Sequence, residues 1–312
     1  MLHHFILTRF NLPLWKYDKN NRLINHSVWL NERLGLFETY CLPSVVKQSN
    51  KNFIWILLCD ENTPVEYRDR IRAYKNKCPQ IELIQVEEEY AWQFPRIFFE
   101  VVAEFLEARG AKDGDICLTT QLDNDDALQK DYVQIVQNHV SKIINSNISY
   151  LNNTTPVFFS FDYGVQYFTE MNMATRIKYP NNHFMTCMEV IEGTELSQGE
   201  ENFPIKGLTL LENIRTCFGY GSHFLLEKEC GVKVHHINDM VHPMWCEVIH
   251  KDNVDNDVKM TFDTEIIKNK DILCDDYGIN FVLQSNVVLF VKRSFIQILR
   301  RIKEKFIKRN WR

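Results

Sequence analysis

The sequence is short of the residues that interrupt regular structure: only 11 Gly and 9 Pro stand among 312 residues. That scarcity excludes collagen-like and Pro/Gly-rich low-complexity chains and leaves no composition for a flexible linker. Long hydrophobic runs are missing too. No stretch approaches the ~18 apolar residues of a membrane-spanning helix. The longest, 53–59 and 287–291, suit buried strands. The opening MLHHFILTRFNLPLW has neither a basic segment nor a small-residue cleavage site, so no secretory signal is expected. The 9 Cys are an odd number and form no CxxC pair, which fits scattered thiols in a reducing cytoplasm better than a disulfide framework. Walker A, GxGxxG and HExxH motifs are absent.

What is present is an ordinary globular composition, 45% hydrophobic and 25% charged, with 12% aromatics. The net charge of −5 hides an asymmetry. Residues 292–312, KRSFIQILRRIKEKFIKRNWR, carry nine Lys/Arg and one Glu, or +8. The rest holds 27 of the 36 basic and 40 of the 41 acidic groups, or −13. A uniformly basic nucleic-acid binder is excluded, and a basic appendage is indicated.

Apolar patterning predicts strands at 4–10, 53–59, 81–86 and 115–120. Helices are predicted at 29–47 with a bend at Pro43, from Pro64, at 95–108 with a stop at Gly110, and at about 130–144. Strands alternating with helices imply right-handed crossovers and a parallel sheet. Beyond residue 150 the rhythm changes. Segments 157–162 and 165–169 read as antiparallel strands, and 192–207 as a polar loop. The expected organisation is one domain over 1–290, with a nucleotide half (1–150) and an acceptor half (151–290), plus a basic helix at 291–312.

The strongest chemical signal is Leu122-Asp123-Asn124-Asp125-Asp126-Ala127. Three carboxylates in four residues repel one another unless a cation lies among them. They end a buried strand, where open α/β sheets bind ligands. Carboxylates suit a hard divalent ion, Mg²⁺ or Mn²⁺, shared with substrate phosphates. An EF-hand fails, because Ala127, Leu128 and Gln134 replace its required oxygen ligand, Gly and Glu. A phosphatase-type DxDx[TV] motif is nearly present, with Ala127 in the Thr/Val place.

In this order, "HFILTRFNL", "CLPSVVKQSNKNFIWILLCDENTP", "LDNDDAL" and "PMWCEVIHKDN" resemble the bacterial rhamnosyltransferase family, glycosyltransferases of the GT-A type, over about residues 1–260. The resemblance implies an α/β, Rossmann-like, mostly parallel central sheet flanked by helices. A smaller antiparallel acceptor-side region would follow. It implies a nucleotide-sugar donor whose diphosphate is held by a divalent metal. Asp123 and Asp125 are then the formal D-x-D pair, Asp126 a further ligand, and Asp123 an alternative ribose contact. Asp60 matches a base-binding position; Thr8 and Arg9, at the end of the first strand, lie at the nucleotide edge. Arg96 is a phosphate candidate. Gln121 stands where the family usually has Arg.

Five of the 10 His fall between 223 and 250. His242 and His250, flanking Pro243-Met244-Trp245, are candidates to close the metal site; imidazole suits Mn²⁺ better than Mg²⁺. Trp245 is a candidate for sugar stacking or for the core. An inverting reaction needs a carboxylate to take the acceptor's proton. Glu189 is the first choice, with Glu212 and Asp239 in reserve. In the tail, Phe295, Ile298, Leu299, Ile302, Phe306 and Ile307 recur at helical spacing among Lys and Arg. That amphipathic pattern fits either an anionic membrane surface or packing on the domain. The expected partners are a nucleotide-sugar donor, a saccharide or lipid-linked acceptor and the inner membrane face, with no nucleic acid. The rival readings are a metal-dependent phosphohydrolase and a non-catalytic, membrane-associated scaffold.

Overall fold

A computed structural model describes residues 1–16, 26–146, 156–191, 197–198, 209–210, 214–221, 226, 232–250 and 264–283, with single positions from 288 to 299. The first half alternates as the apolar runs predict. In chain order come β1 (Leu2–Arg9), α1 (His26–Leu36), a π-helical turn (Phe37–Cys41), α2 (Leu42–Val46), β2 (Ile54–Asp60), α3 (Val65–Ala73) and β3 (Ile81–Val86). Then follow α4 (Phe94–Ala108), β4 (Ile116–Gln121), the two-residue β5 (Ala127–Leu128) and α5 (Tyr132–Asn145). The second half supplies β6 (Val157–Phe161), β7 (Tyr163–Phe168), β8 (Met173–Lys178), β9 (Thr186–Val190) and the short pair β10 (Ser197–Gln198) and β11 (Thr209–Leu210). It continues with β12 (Lys233–Ile237), β13 (Trp245–Ile249), β14 (Glu265–Ile267) and α6 (Lys270–Tyr277).

The central sheet has the order β12-β6-β9-β4-β1-β2-β3. Neighbours are parallel except around β9, which runs antiparallel to both β4 and β6. Alternate residues face opposite layers. Ile6, Trp55 and Leu57 meet Leu34, Phe37, Val45 and Val136 of α1, the π turn, α2 and α5. Phe5, Leu7, Ile56 and Leu58 meet Phe98, Val101 and Val102 of α4. Two covered faces explain why the strands read as continuous apolar runs. His4 is buried in this sheet with Nε2 2.8 Å from Thr120 Oγ1, and burial pushes its imidazole down to about 3.

A second sheet, β14-β8-β7-β13-β5, lies beyond the carboxyl end of β4. The antiparallel pairing expected after residue 150 is present, β7 with β8 and β6 with β9. β6 also pairs parallel with β12, and β7 with β13. Those partners lie far along the chain, where local alternation carries no signal. The bend expected at Pro43 is replaced by the π turn just before it, in which the Leu42 N–H bonds Phe37 O. A wider turn accommodates the missing proline N–H while the helix continues. The expected polar loop at 192–207 falls outside the described residues except at 197–198. Trp245 belongs to the core. Its indole donates to Phe161 O at 2.8 Å and its ring lies against Gly164, where any Cβ would overlap it.

Candidate active site

The acidic loop leaves the carboxyl end of β4 and turns back, with the Asp126 N–H donating to Asp123 O at 3.3 Å. Every carboxylate in it is met by cationic or imidazole groups from other elements. Arg9, the last residue of β1, donates from Nη2 to Asp123 Oδ1 at 3.1 Å. Its guanidinium lies over the rings of Phe94 (5.1 Å) and Phe218 (5.5 Å). Arg33 of α1 donates from Nη1 to Asp125 Oδ2 at 2.6 Å, and His250 Nε2 lies 2.9 Å from that same oxygen. Asp126 accepts the Val248 N–H on Oδ1 at 2.8 Å and meets His183 Nε2 on Oδ2 at 3.0 Å.

Exposure grades along the loop: Asp123 retains 30% of its side-chain surface, while Asp126 has none. Burial pushes all three carboxyls up. For Asp123 the cations Arg9 and His183 outweigh it and leave the group below its ordinary range. Arg33, with His250, does the same more strongly for Asp125. Asp126 remains raised, to about 7, because burial dominates and Asp125 and Asp123 repel its charge despite the His183 bond. Burial would lower His183, but its bond to Asp126 and the Asp123 charge raise it.

Asp123, Asp126 and His183 each present a ligand atom within 4.8 Å of the other two, the one such group of three among the described residues. Two carboxylates and an imidazole form an acceptable donor set for Mn²⁺ and a poorer one for Mg²⁺. The structure thus pairs Asp126, rather than Asp125, with Asp123, and adds a histidine that the sequence reading missed. The signal for His183 lies in the register. β9 is antiparallel to β4 with Thr186 opposite Thr120, so the residue three before Thr186 comes level with the residue three after Thr120, which is Asp123. Without that pairing, His183 is one histidine in a polar turn. Arg33 was also missed, because only the packing of α1 brings it to the loop.

Of the other sequence candidates, His250 reaches the cluster through Asp125, and Arg9 through Asp123. Thr8 is fully buried and accepts the Trp55 indole N–H at 2.9 Å. Asp60 ends β2, beside β1, and folds onto its own turn by accepting the Asn62 N–H at 2.8 Å. Arg96 pairs with Glu100 on α4 at 3.0 Å. His242 lies in an exposed turn, paired with Asp239 at 3.1 Å. Glu189 is not brought to the cluster. It lies opposite Cys117, toward the amino end of β4, and accepts the Arg215 N–H (2.8 Å), the Thr216 N–H (3.1 Å) and the Tyr220 O–H (2.7 Å). Glu212 lies outside the described residues. A surface groove of about 580 Å³ runs along β12, lined in part by His139, Lys142, Phe159 and His235. Its histidines do not converge on a common point as the cluster does.

No curated protein matches the chain. Among solved structures, TarS 1–349 of S. aureus is similar at 12% identity and a TM-score of 0.37, covering 80% of this chain and 60% of that one. The same fragment in complex with UDP gives 12% identity and 0.28, covering 54% and 35%. A further S. aureus TarS structure gives 10% and 0.35, covering 80% and 37%. The chain therefore spans less than two thirds of each of these proteins, and the likeness is remote. The family model described as "Putative rhamnosyl transferase" matches residues 4–193, which take in β1 to β9, the acidic loop and His183, but not His250. With more than half of its length matched, the chain belongs to this rhamnosyltransferase family.

Proposed function

We propose that this glycosyltransferase moves rhamnose from a dTDP donor to a saccharide or lipid-linked acceptor, with a divalent cation on the donor diphosphate. The observation that carries the reading is the Asp123–Asp126–His183 group at the carboxyl end of β4, with Arg9 beside it. Asp123, Asp126 and His183 would hold the ion; Asp125 and His250 form the adjoining carboxylate–imidazole pair. The ion, when bound, supplies Lewis-acid stabilisation of the leaving diphosphate. Arg9 offers a fixed guanidinium to the same phosphates. Asp60, at the neighbouring strand end, is the candidate for the nucleobase. The Val248 N–H fixes the orientation of Asp126, so this carboxylate needs little rearrangement as charge develops in an oxocarbenium-like transition state.

The tail supports an acceptor at a lipid surface. Among the described residues no helix is long and apolar enough to cross a membrane. Yet Val288, Val291, Phe295 and Leu299, at helical spacing, are 80, 57, 60 and 50% exposed. Apolar side chains left open beside a +8 segment suit the interface of an anionic bilayer.

A thermal-shift panel of nucleotide sugars with and without Mn²⁺ tests the donor. The expected result is a rise with dTDP-rhamnose that requires the metal and disappears in Asp123→Asn. A flat panel with all donors rejects the reading. Phosphate release without any acceptor would replace it with a phosphohydrolase. Sedimentation with phosphatidylglycerol vesicles tests the tail: the full chain should bind, and a chain ending at 291 should not.

A further inference from the structure

We propose that Arg33 is a relay cation: it balances Asp125 while no donor is bound and turns to the donor diphosphate when ion and nucleotide enter together. This rests on the nucleotide-sugar reading above and adds a phosphate-binding residue to it. The first support is an excess of partners at Asp125. One carboxylate oxygen receives both Arg33 at 2.6 Å and His250 at 2.9 Å. Asp125 therefore keeps the His250 ring nitrogen beside it if the guanidinium departs, whereas a carboxylate partnered by Arg33 alone would be stranded.

The second support is the geometry of the donor group. Arg33 spends a single nitrogen, Nη1, on both Asp125 Oδ2 and Asn124 Oδ1 (3.3 Å). A guanidinium carries five N–H donors in a planar fork that matches phosphate oxygens, and it keeps its charge at any relevant pH. The Trp29 ring, 5.4 Å from the guanidinium carbon, gives the cation a second favourable surface. The third support is placement. Asp125 lies between Asp123 and Asp126, so Arg33 touches the loop that would carry the ion. Side chains of Arg33 and Asp125 are only 11% and 8% exposed, so their charges are weakly screened.

The consequence is a coupling of opposite signs. A divalent ion entering alone is repelled by Arg33. An ion entering with a diphosphate brings negative charge that Arg33 can bind, so the same residue opposes the first event and favours the second.

The test uses the full chain and Arg33→Gln, which retains a hydrogen-bonding side chain, together with Arg33→Gln/Asp125→Asn, which removes the buried charge pair altogether. Mn²⁺ alone is titrated first, by its electron paramagnetic resonance signal. dTDP and thymidine are then titrated calorimetrically in saturating Mn²⁺. For Arg33→Gln the expected result is tighter Mn²⁺ binding, by roughly threefold to tenfold, and dTDP binding weakened about tenfold or more. Thymidine binding, which involves no phosphate, should not change. A residue that merely supports the loop would weaken both Mn²⁺ and dTDP, and that result overturns the proposal. So does unchanged dTDP affinity. In the double variant the gain for Mn²⁺ should vanish and the loss for dTDP persist; recovery of dTDP affinity there also overturns it. If the unaltered chain binds neither Mn²⁺ nor dTDP, the donor reading itself falls, and this proposal with it.

Discussion

The strand pair β4–β9 buries carboxylates at both of its ends and satisfies them in opposite ways. At the carboxyl end of β4, Asp123, Asp125 and Asp126 meet Arg9, Arg33, His183 and His250. At the other end, Glu189 meets two backbone N–H groups and a tyrosine hydroxyl. Those neutral donors pin residues 215–220, including Thr216, a β-branched residue held at φ 63°. Burial raises Glu189 and Asp126 alike, so a perturbed acid does not by itself identify a ligand site. The nature of the partners is what separates the two ends. Ionisable partners can be exchanged for an incoming cation and phosphate, whereas backbone N–H donors are part of the fold.

The comparison can be broken most decisively at the acidic end. Asp123→Asn combined with Asp126→Asn should lower Mn²⁺-dependent transfer by at least about a hundredfold while the fold persists, measured as turnover beside a melting curve. A loss of fold with no specific loss of turnover would erase the difference between the ends. Glu189→Ala should do the reverse. Leaving the buried Thr216 N–H and the part-buried Arg215 N–H and Tyr220 O–H without an acceptor should cost roughly 2 kcal/mol in urea unfolding, with turnover of the folded fraction close to normal.

His4 stands between the ends, opposite Leu118. Its folded imidazole takes a proton only near pH 3, whereas an unfolded histidine does so near its ordinary 6.5. Protons therefore favour the unfolded chain over that window. Lowering the pH from 7 to 5 should remove about 2 kcal/mol of stability through this one group. His4→Gln should abolish that share of the loss in urea titrations at the two pH values. The smallest effect belongs to His242. Its exposed pairing with Asp239 predicts that His242→Ala changes stability by no more than about 0.5 kcal/mol and leaves Mn²⁺ affinity unchanged. A loss of Mn²⁺ binding would extend the site to a turn that the structure keeps apart from it.

The sequence made the acidic loop legible because a carboxylate cluster directly after an apolar strand has few explanations. α4 was equally legible, since Pro95, the apolar stripe and Gly110 mark its limits independently of the rest of the fold. His250 could be reached from its place in PMWCEVIHKDN. His183 could not, because it depends on β9 pairing antiparallel with β4. Arg33 depends on which face α1 turns to the loop, and helical spacing alone shows only the apolar face. Glu189 was chosen for its apolar surroundings, which are real. Strand direction then carries it away from Asp123, since each step along β9 from Thr186 moves toward the start of β4.

The insertion of β9 also has a kinetic side. His183 is 57 residues from Asp126, and His250 is 125 from Asp125. Contacts at such separations form only after large losses of loop entropy. The Asp123–Asp126–His183 group can therefore assemble only as the sheet closes, so an ion held there would lock the finished fold rather than nucleate it. During synthesis, β4 emerges well before β9 and must wait as an uncovered sheet edge, an invitation to pair with other chains. The strand that brings His183 to the acidic loop is also the one that ends this exposure.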